Sequence, residues 1–370
     1  SGDYYLPVDH DDLLNFDALE VFHHFITKNN YPALLYSDED KTNPESGKFA
    51  PFFKPDWDPI MFFNNCYIAH LCAINKEIAE KVNVYTDSKS DGCHDWDTIY
   101  RFVREGHEPF HVPEILYSWR IHPNSTASGV PSVKPYTVTS QYYVLKKQFD
   151  FLNKSNDYDL KENRLFINTG MWSIKRTSKI QAKIGIILNK DERNFKELCS
   201  KIEKICNIDD FDRIHILVNS ISQNESEIIK KTFKNEKIEI SNYSLDQLKE
   251  FSNKSFDAVF FLSERLVIEN NTWINEALSM IQFRDDIVLV NGKIRNKDIY
   301  LWCDSYFDKK FNVINPAFGQ HLTNGGYYAA RICQKTVDVV SNDFWAIKGD
   351  FLKQFYSENQ EILNLSQFGF

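Results

Sequence analysis

Hydrophobic and polar positions follow two different patterns along the chain. In the first part, short apolar runs and stretches of helical spacing follow one another without a fixed order. The predicted strands cover residues 4–8, 34–36 and 115–119, and the predicted helices cover residues 16–25, 95–105 and 142–152. Residues 37–41 are predicted to form a polar loop, and residues 42–58, rich in Pro and Phe, an irregular segment.

From Lys183 the pattern becomes a regular alternation of apolar runs and amphipathic stretches. The predicted strands cover residues 184–188, 214–218, 238–241, 257–262 and 287–290, and the predicted helices between them cover residues 195–206, 225–233, 245–251 and 272–281. Alternation of this kind predicts a mostly parallel sheet covered by helices on both faces. The predicted fold class is therefore α/β.

An internal repeat relates the two parts. Residues 3–25 contain a strand, a polar turn and a helix, and residues 257–281 repeat this order without the acidic residues of the turn. The repeat predicts tandem domains, with residues 1–130 in the first, a helical connector over 131–182, and a second domain over 183–370. Because a strand begins almost at once and the chain ends without a helix stop signal, we expect the sequence to be part of a longer protein.

Acidic residues outnumber basic residues, 52 to 43, so the formal net charge is −9. Broad nucleic-acid binding needs a basic surface, and the charge argues against that class. No apolar run approaches the ~18 residues that a membrane-spanning helix needs. The seven cysteines include no C-x-x-C pair, and the first residues lack the pattern of a signal peptide, which is typical of a protein in a reducing compartment.

Four polar residues, Asp9-His10-Asp11-Asp12, follow the first predicted strand. Ligands of α/β proteins bind beyond the carboxyl ends of strands. Carboxylates gathered there repel one another, and a hard cation between them relieves the repulsion and can clamp a diphosphate. Asp is also typical of a helix N-terminus, where it caps free amide groups, and Asp12 fits that interpretation as well.

A second acidic stretch runs from Asp91 to Asp97. A glycine turn at Gly92 leads to Asp95 and Asp97 in the first turn of a predicted helix. Residues two apart on a helix point in different directions, so one carboxylate can face a cleft while the other caps or pairs. A carboxylate in a cleft can take a proton from a hydroxyl group. The alternative is an ordinary capped helix.

Arg120 and His122 lie just after the predicted strand 115–119. The planar guanidinium of arginine suits phosphate oxygens, and a neutral imidazole can bind a transition metal. The alternative for His122 is a hydrogen-bonded loop residue.

In order and spacing, these residues resemble the family 2 glycosyltransferases of the GT-A fold, most closely the bacterial members that build O-antigen and other surface polysaccharides. The resemblance is dense over residues 1 to about 140. Five stretches carry it: residues 2–14 (GDYYLPVDHDDLL), 36–41 (YSDEDK), 52–57 (FFKPDW), 94–97 (HDWD) and 119–125 (WRIHPNS).

The resemblance implies a role for each candidate residue. Asp9-His10-Asp11 matches the D-x-D motif, in which Asp11 would bind Mn²⁺ or Mg²⁺ on the donor diphosphate and Asp9 would contact the ribose or the metal shell. Asp95 matches the catalytic base, which deprotonates the acceptor hydroxyl for in-line attack with inversion. His122 matches a histidine that completes the metal site, and Arg120 would steady the departing diphosphate.

Two departures from the family pattern shape the domain prediction. The βαβ half that holds the nucleoside in this family would precede the D-x-D strand, and it does not occur before Asp9 in this sequence. From Lys183 the second segment resembles the same fold more weakly, with Ser263-Glu264-Arg265 at the D-x-D position, where Arg265 disfavours a cation. We expect a partial GT-A domain followed by a second, degenerate or incomplete GT-A-like domain.

The expected function is metal-dependent, inverting transfer of a sugar from a nucleotide-diphosphate donor to a glycan or lipid-linked acceptor in surface polysaccharide synthesis. We expect a bacterial, cytoplasmic enzyme with no transmembrane segment and no nucleic-acid partner, in peripheral contact with the inner face of the membrane where its acceptor is lipid-linked. Two alternatives stay open: a non-catalytic tandem module that binds glycan or positions a partner enzyme, and a nucleotidyltransferase of related fold, which would release pyrophosphate.

Overall fold

The chain divides into two units in the computed structural model. Unit 1 comprises residues 1–175 and 325–336, and unit 2 comprises residues 176–324 and 337–370. The structure describes residues 2–121, 136–163, 170–189, 194–208, 211–219, 221–233, 235, 237–242, 250–251, 253–269 and 272–358. Among the described helices, none combines the length and the apolar character needed to cross a membrane.

Unit 1 contains a six-stranded mixed sheet and five α-helices in its described part. The strands are β1 (Tyr4–Tyr5), β2 (Leu13–Leu14), β3 (Leu34–Asn43), β4 (Gly47–Phe52), β5 (Cys72–Asn75) and β6 (Phe110–Arg120). The helices are α1 (Ala18–Lys28), α2 (Pro59–Asn64), α3 (Lys76–Lys81), α4 (His94–Arg104) and α5 (Tyr136–Phe151). A two-stranded sheet of β7 (Tyr158–Glu162) and β8 (Trp172–Arg176) follows α5.

The strand order of the large sheet is β1-β5-β3-β6-β2, and β4 pairs with the other side of β3. β3 and β6 are parallel, and the remaining pairs are antiparallel. Helix α1 packs on this sheet through Ala18, Phe22 and Ile26, which recur every four residues and are buried in one cluster with Leu35 and Val112. This is the apolar face that helical spacing predicts.

β3 is longer than the sequence pattern predicts. The predicted polar loop at residues 37–41 is wrong, because the strand continues to Asn43 and the four residues from Ser37 to Asp40 are at most 6% exposed. The segment 42–58 is also more regular than predicted, since β4 pairs antiparallel with the end of β3. Buried acids need partners that are distant in sequence, and a local pattern does not show them.

The turn before α4 requires glycine at position 92. Its φ is +81°, and a Cβ there would lie 2.8 Å from Thr137 Cγ2 and 2.9 Å from Tyr136 Cε2. An amino acid with a Cβ would be strained in this conformation and would clash with the start of α5.

Residues 325–336, which we name the returning segment, belong to unit 1 although most of unit 2 precedes them in sequence. The Tyr328 ring stacks on Phe52, with 3.9 Å between centroids and 9° between planes. The Gln334 N–H donates to Asn64 Oδ1 at 3.1 Å, and Asn64 Nδ2 donates to the Gln334 carbonyl at 3.2 Å. The returning segment is therefore an integral part of unit 1.

Unit 2 follows the predicted alternation. Its strands are β9 (Lys183–Leu188), β10 (Arg213–Val218), β11 (Ile238–Asn242), β12 (Ala258–Leu262), β13 (Leu289–Asn291), β14 (Ile294–Asn296), β15 (Ile299–Trp302), β16 (Tyr306–Phe307), β17 (Val313–Ile314) and β18 (Phe344–Lys348). Its helices are α6 (Phe195–Cys206), α7 (Gln223–Thr232), α8 (Thr272–Phe283) and α9 (Gly349–Glu358). The helix predicted at residues 245–251 lies largely outside the described residues.

The sheet of unit 2 has the order β11-β10-β9-β12-β18-β13. The first four strands are parallel, and β18 is antiparallel to both of its neighbours. One apolar cluster on this sheet includes residues of α6 and α8, and a second includes Phe251, Phe256 and Phe261. The α/β prediction is confirmed, and both large sheets are mixed.

Candidate active site

Asp9, Asp11 and Asp12 lie together in the loop between β1 and β2. One side-chain oxygen of each lies within 4.8 Å of the others, and within the described ranges no second group of His, Cys, Asp and Glu meets the same condition. The Asp12 N–H donates to the Asp9 carbonyl at 3.1 Å, which closes the turn. The side chains of Asp9 and Asp11 are 60% and 33% exposed. An oxygen-only donor set of this kind suits a hard divalent cation such as Mg²⁺ or Mn²⁺.

Asp12 joins this acid loop to β6. Its Oδ1 accepts the backbone N–H of Arg120 at 2.8 Å, and its Oδ2 accepts the Tyr117 hydroxyl. Burial raises the pKa of the Tyr117 hydroxyl, and the Asp12 carboxylate raises it further, so the hydroxyl stays protonated and keeps donating. Asp12 therefore does not cap a helix. It places the acid loop beside the end of β6.

The first turn of α4 carries two carboxylates in different surroundings. Asp97 is 1% exposed and accepts hydrogen bonds from Arg101 Nε at 2.7 Å and Lys147 Nζ at 3.1 Å. Asp95 points elsewhere and lines a small cavity together with His70. The two side chains diverge as their spacing on a helix predicts. Asp97 is buried in ion pairs, whereas Asp95 is half-buried and lines a cavity of about 20 Å³.

His70 connects the acid loop with the cavity that Asp95 lines. Its Nε2 lies 3.9 Å from Asp9 Oδ2, and its ring is tilted against the Tyr117 ring with 5.4 Å between centroids. The same cavity is lined by Pro7, two residues before Asp9. His70 and Pro7 thus lie between the acid loop and Asp95 along the same part of unit 1.

The thiols near Asp95 are poor nucleophiles. Burial raises the pKa of Cys72 to about 12, and burial with the nearby carboxylates raises the pKa of Cys93 to about 12. Both thiols stay protonated at neutral pH, whereas nucleophilic chemistry needs the thiolate. The groups lining this cavity that can accept a proton are the Asp95 carboxylate and the His70 imidazole.

The remaining candidates lie at and beyond the end of β6. Arg120 is the last residue of this strand and is half-buried. His122 lies outside the described residues. His70 is a residue that the sequence analysis did not single out. The only signal in the sequence was one histidine within the mainly apolar stretch 67–74. A local pattern does not connect this histidine with the acid loop, which lies about sixty residues earlier in the sequence.

The corresponding strand end of unit 2 has a different arrangement. Ser263 Oγ donates to Asp343 Oδ1 at 2.7 Å, and Arg265 Nε donates to the same oxygen at 2.9 Å. The buried Lys201 ammonium donates to the carbonyls of Ser263 and Glu264 at 3.1 and 2.9 Å. Two cationic side chains thus surround the turn that follows β12, where unit 1 has carboxylates.

Sequence comparison finds two curated relatives, and no family model matches the chain. An uncharacterised protein of Sinorhizobium fredii, y4gI, is 31% identical over 137 residues, which are 36% of this chain and 15% of that protein. The O-antigen biosynthesis protein RfbC of Myxococcus xanthus is 32% identical over 96 residues, which are 26% of this chain and 8% of RfbC. The chain thus spans a small part of the length of either relative. The RfbC match confirms the resemblance to a protein of O-antigen synthesis.

Similarity to solved structures is low. The mannosyltransferase PcManGT of Pyrobaculum calidifontis, in complex with GDP-Man and Mn²⁺, has a TM-score of 0.31 at 8% identity, covering 48% of this chain and 47% of its own. The 4-diphosphocytidyl-2C-methyl-D-erythritol synthase of Anaerococcus prevotii has a TM-score of 0.32 at 10% identity, covering 50% of this chain and 80% of its own.

Proposed function

We propose that this chain carries the acid, base and metal-binding residues of an inverting glycosyltransferase that uses a nucleotide-diphosphate sugar. The observation that carries the proposal is the position of His70, whose Nε2 lies 3.9 Å from Asp9 Oδ2 and whose side chain lines a cavity together with Asp95. The match to an O-antigen biosynthesis protein supports a role in surface polysaccharide synthesis. The acceptor would then be a glycan or a lipid-linked saccharide at the inner face of a bacterial membrane.

The acid loop fits a divalent metal ion. Asp9 and Asp11 offer oxygen atoms that solvent can reach, while both oxygens of Asp12 already accept hydrogen bonds from β6. We assign Asp11 as the main ligand of Mn²⁺ or Mg²⁺, with His122 as a further ligand and Asp9 in contact with the donor. When bound, the ion would neutralise charge on the donor diphosphate.

The protein's own residues would supply the proton transfer. Asp95 accepts the proton of the acceptor hydroxyl, and the hydroxyl oxygen forms a bond to the anomeric carbon. The bond from this carbon to the diphosphate oxygen breaks, and the electron pair leaves with the nucleoside diphosphate. Attack from the opposite face inverts the configuration, and one base is sufficient for a single displacement. Arg120, at the end of β6, would donate to the departing diphosphate.

The two domains would have different functions. Residues 1–130 are proposed as the catalytic half of a GT-A domain, residues 131–182 as a connector, and residues 183–370 as a second GT-A-like domain without a metal site. The pairing of Arg265 with Asp343, at 2.7 Å between Nη2 and Oδ1, supports the absence of a cation at the second site.

Calorimetric titration with nucleoside diphosphates tests the donor site. We expect Mn²⁺-dependent binding that Asp11→Ala weakens at least tenfold and that Asp17→Ala leaves unchanged. Asp17 is a matched control because, like Asp11, it is a half-buried aspartate in the same segment, and its side chain makes no capping hydrogen bond. An absence of binding at millimolar nucleotide, with and without Mn²⁺, would contradict the proposal.

Product analysis tests the reaction class. Incubation with nucleotide sugars and a saccharide acceptor should release nucleoside diphosphate, and Asp95→Asn should reduce release by a factor of at least about 100, as expected for loss of a general base. Release of pyrophosphate would instead indicate a nucleotidyltransferase. Undiminished transfer by Asp95→Asn would rule out Asp95 as the base.

A further inference from the structure

Two of the sequence stretches that the proposed function leaves unused, residues 36–41 and 52–57, meet in a buried polar network. The Lys54 ammonium is fully buried and lies 3.0 Å from Glu39 Oε2, which is 5% exposed as a side chain. A buried ion pair loses the hydration of both charges, and a well-packed apolar pair of similar size is often at least as stable. The pair therefore needs an explanation other than stability.

The Lys54–Glu39 pair holds the backbone of the segment that carries His70. The Lys54 ammonium donates to the Ile68 carbonyl at 2.8 Å and to the His70 carbonyl, and Glu39 Oε2 accepts the His70 N–H at 2.9 Å. Both sides of the His70 main chain are thus fixed by one charged pair. We name this arrangement the backbone clamp.

A second layer fixes the clamp itself. Asp38 Oδ1 accepts the backbone N–H of Lys54 at 2.8 Å and the Nε2–H of His111 at 2.8 Å. His111 Nδ1 lies 3.0 Å from Asp56 Oδ1, and its ring stacks on Tyr36 with 4.9 Å between centroids. The acids of β3 and the residues of the 52–57 stretch therefore act as one structural unit.

His70 adjoins both Asp9 and the cavity that Asp95 lines, the two places between which the proposed in-line reaction would hold the sugar. The reacting carbon must lie between the leaving diphosphate, held beside Asp9 and Asp11, and the attacking hydroxyl, held beside Asp95. The His70 imidazole is 3.9 Å from Asp9 and lines the cavity with Asp95. A neutral imidazole has one donor and one acceptor, which matches the donor and acceptor capacity of sugar hydroxyls.

We propose that His70 contacts the hydroxyl groups of the transferred sugar, and that the buried Lys54–Glu39 pair is a positioning device that acts through His70. This inference rests on the proposed glycosyltransferase function. The residues of the 36–41 and 52–57 stretches would then influence the sugar specificity of the site by holding the backbone of His70.

The contact is tested by comparing nucleotide sugars with nucleoside diphosphates. Dissociation constants of UDP, GDP, UDP-glucose, UDP-galactose, UDP-N-acetylglucosamine and GDP-mannose are measured with Mn²⁺ for the full chain. For the sugar nucleotide preferred by the wild type, His70→Ala should raise the Kd about tenfold, the loss expected for one unmade hydrogen bond in a closed site, while the Kd of the matching nucleotide changes less than twofold. His70→Gln should raise the Kd of the sugar nucleotide less than His70→Ala does. His23→Ala, the control at an exposed position, should change neither Kd.

The outcomes separate the two proposals. If the wild type binds none of these nucleotides, the function and the inference both fail. The inference alone fails if the wild type binds sugar nucleotides but His70→Ala weakens binding of the nucleotide and of the sugar nucleotide equally. It also fails if His70→Ala changes neither.

The clamp is tested by a mutant cycle with His70. Lys54→Met should weaken binding of the preferred sugar nucleotide about as much as His70→Ala does, while the Kd of Mn²⁺ stays within twofold. Glu39→Gln, which keeps an acceptor for the His70 N–H, should weaken binding of the sugar nucleotide less. Adding Lys54→Met to His70→Ala should cause no further loss, because the positioning residue acts only through His70. Independent, multiplying losses, or a loss of Mn²⁺ affinity in Lys54→Met, would show a general structural role and overturn the inference.

Discussion

The Tyr117 hydroxyl donates a hydrogen bond to the Asp12 carboxylate, although 105 residues separate them in sequence. The other oxygen of this carboxylate accepts the Arg120 N–H. One acid of the acid loop is thus committed to holding the loop against β6. The side chains of the other two acids, Asp9 and Asp11, are partly exposed to solvent.

We expect Asp12→Ala to lower the free energy of unfolding by about 1–3 kcal/mol, because it leaves a buried hydroxyl and a backbone N–H without their acceptor. Urea denaturation followed by tryptophan fluorescence measures the change. Asp9→Asn, at an exposed side chain of the same loop, should change stability by less than about 0.5 kcal/mol. Equal effects of the two substitutions would show that Asp12 does not anchor the loop.

Removal of the charge should have different effects at the two carboxylates of α4: at Asp97 it should lower stability, and at Asp95 it should lower the proposed activity. Asp97→Asn removes a buried anion from Arg101 and Lys147, which are partly exposed and keep Asp87 at 3.9 and 3.0 Å. We therefore expect the free energy of unfolding to fall by about 1.5–3 kcal/mol. Asp95→Asn should change the unfolding free energy little, while it should reduce the proposed transfer by a factor of at least about 100. Denaturation curves measured beside activity assays distinguish the two. Loss of stability in Asp95→Asn of similar size would mean that this carboxylate is structural.

His215 should make unit 2 sensitive to acid. Lys254 Nζ donates to His215 Nδ1 at 3.0 Å, so the ring proton is on Nε2, which donates to Ser241 Oγ at 3.1 Å. Burial lowers the pKa of His215 from 6.5 to about 4. Between these two pH values the unfolded chain binds more protons than the folded chain, so the free energy of unfolding falls as the pH falls from about 6.5 to about 4.

The test is the slope of stability against pH in that window for the wild type and for His215→Asn. We expect a flatter slope in the variant, because asparagine does not titrate. His23→Ala is the control, since His23 is exposed and its removal should leave the slope unchanged. Parallel slopes of the wild type and His215→Asn would exclude His215 as the origin.

The returning segment should contribute measurably to unit 1. Tyr328→Ala removes the stack on Phe52 and the hydroxyl that donates to the Ala50 carbonyl at 2.5 Å, and we expect a loss of about 1–2 kcal/mol. Tyr328→Phe keeps the ring and should lose about half as much. Urea denaturation of both variants decides the matter, and an unchanged midpoint in Tyr328→Ala would show that the segment is only loosely held.

The regular parts of the chain could be predicted from local pattern. Helix α6 begins at Phe195 and ends at Cys206, as the apolar spacing predicts, and β9 to β13 lie within two residues of the five strands predicted for unit 2. The strands from β14 to β18 were not predicted, although β18 lies within the large sheet. Strands covered on both faces are continuous apolar runs between polar helices, so the sequence contains the whole signal.

The buried polar parts could not be predicted in this way. Residues 37–41 are acidic and hydrophilic, and their burial depends on Lys54 and His111, which arrive through other elements. The candidate acids of the site were found because their residue types are typical of metal and proton chemistry. His70 was missed because its importance comes from its distance to Asp9 and not from its neighbours in sequence.

The returning segment also constrains the order in which the protein can fold during translation. The Tyr327 hydroxyl donates to the Pro51 carbonyl across 276 residues, so the sheet of unit 1 leaves the exit tunnel long before the segment that completes it. The four parallel strands of unit 2 are translated in the interval. During synthesis, the Phe52 side chain of unit 1 therefore stays without its stacking partner until translation has passed Tyr328.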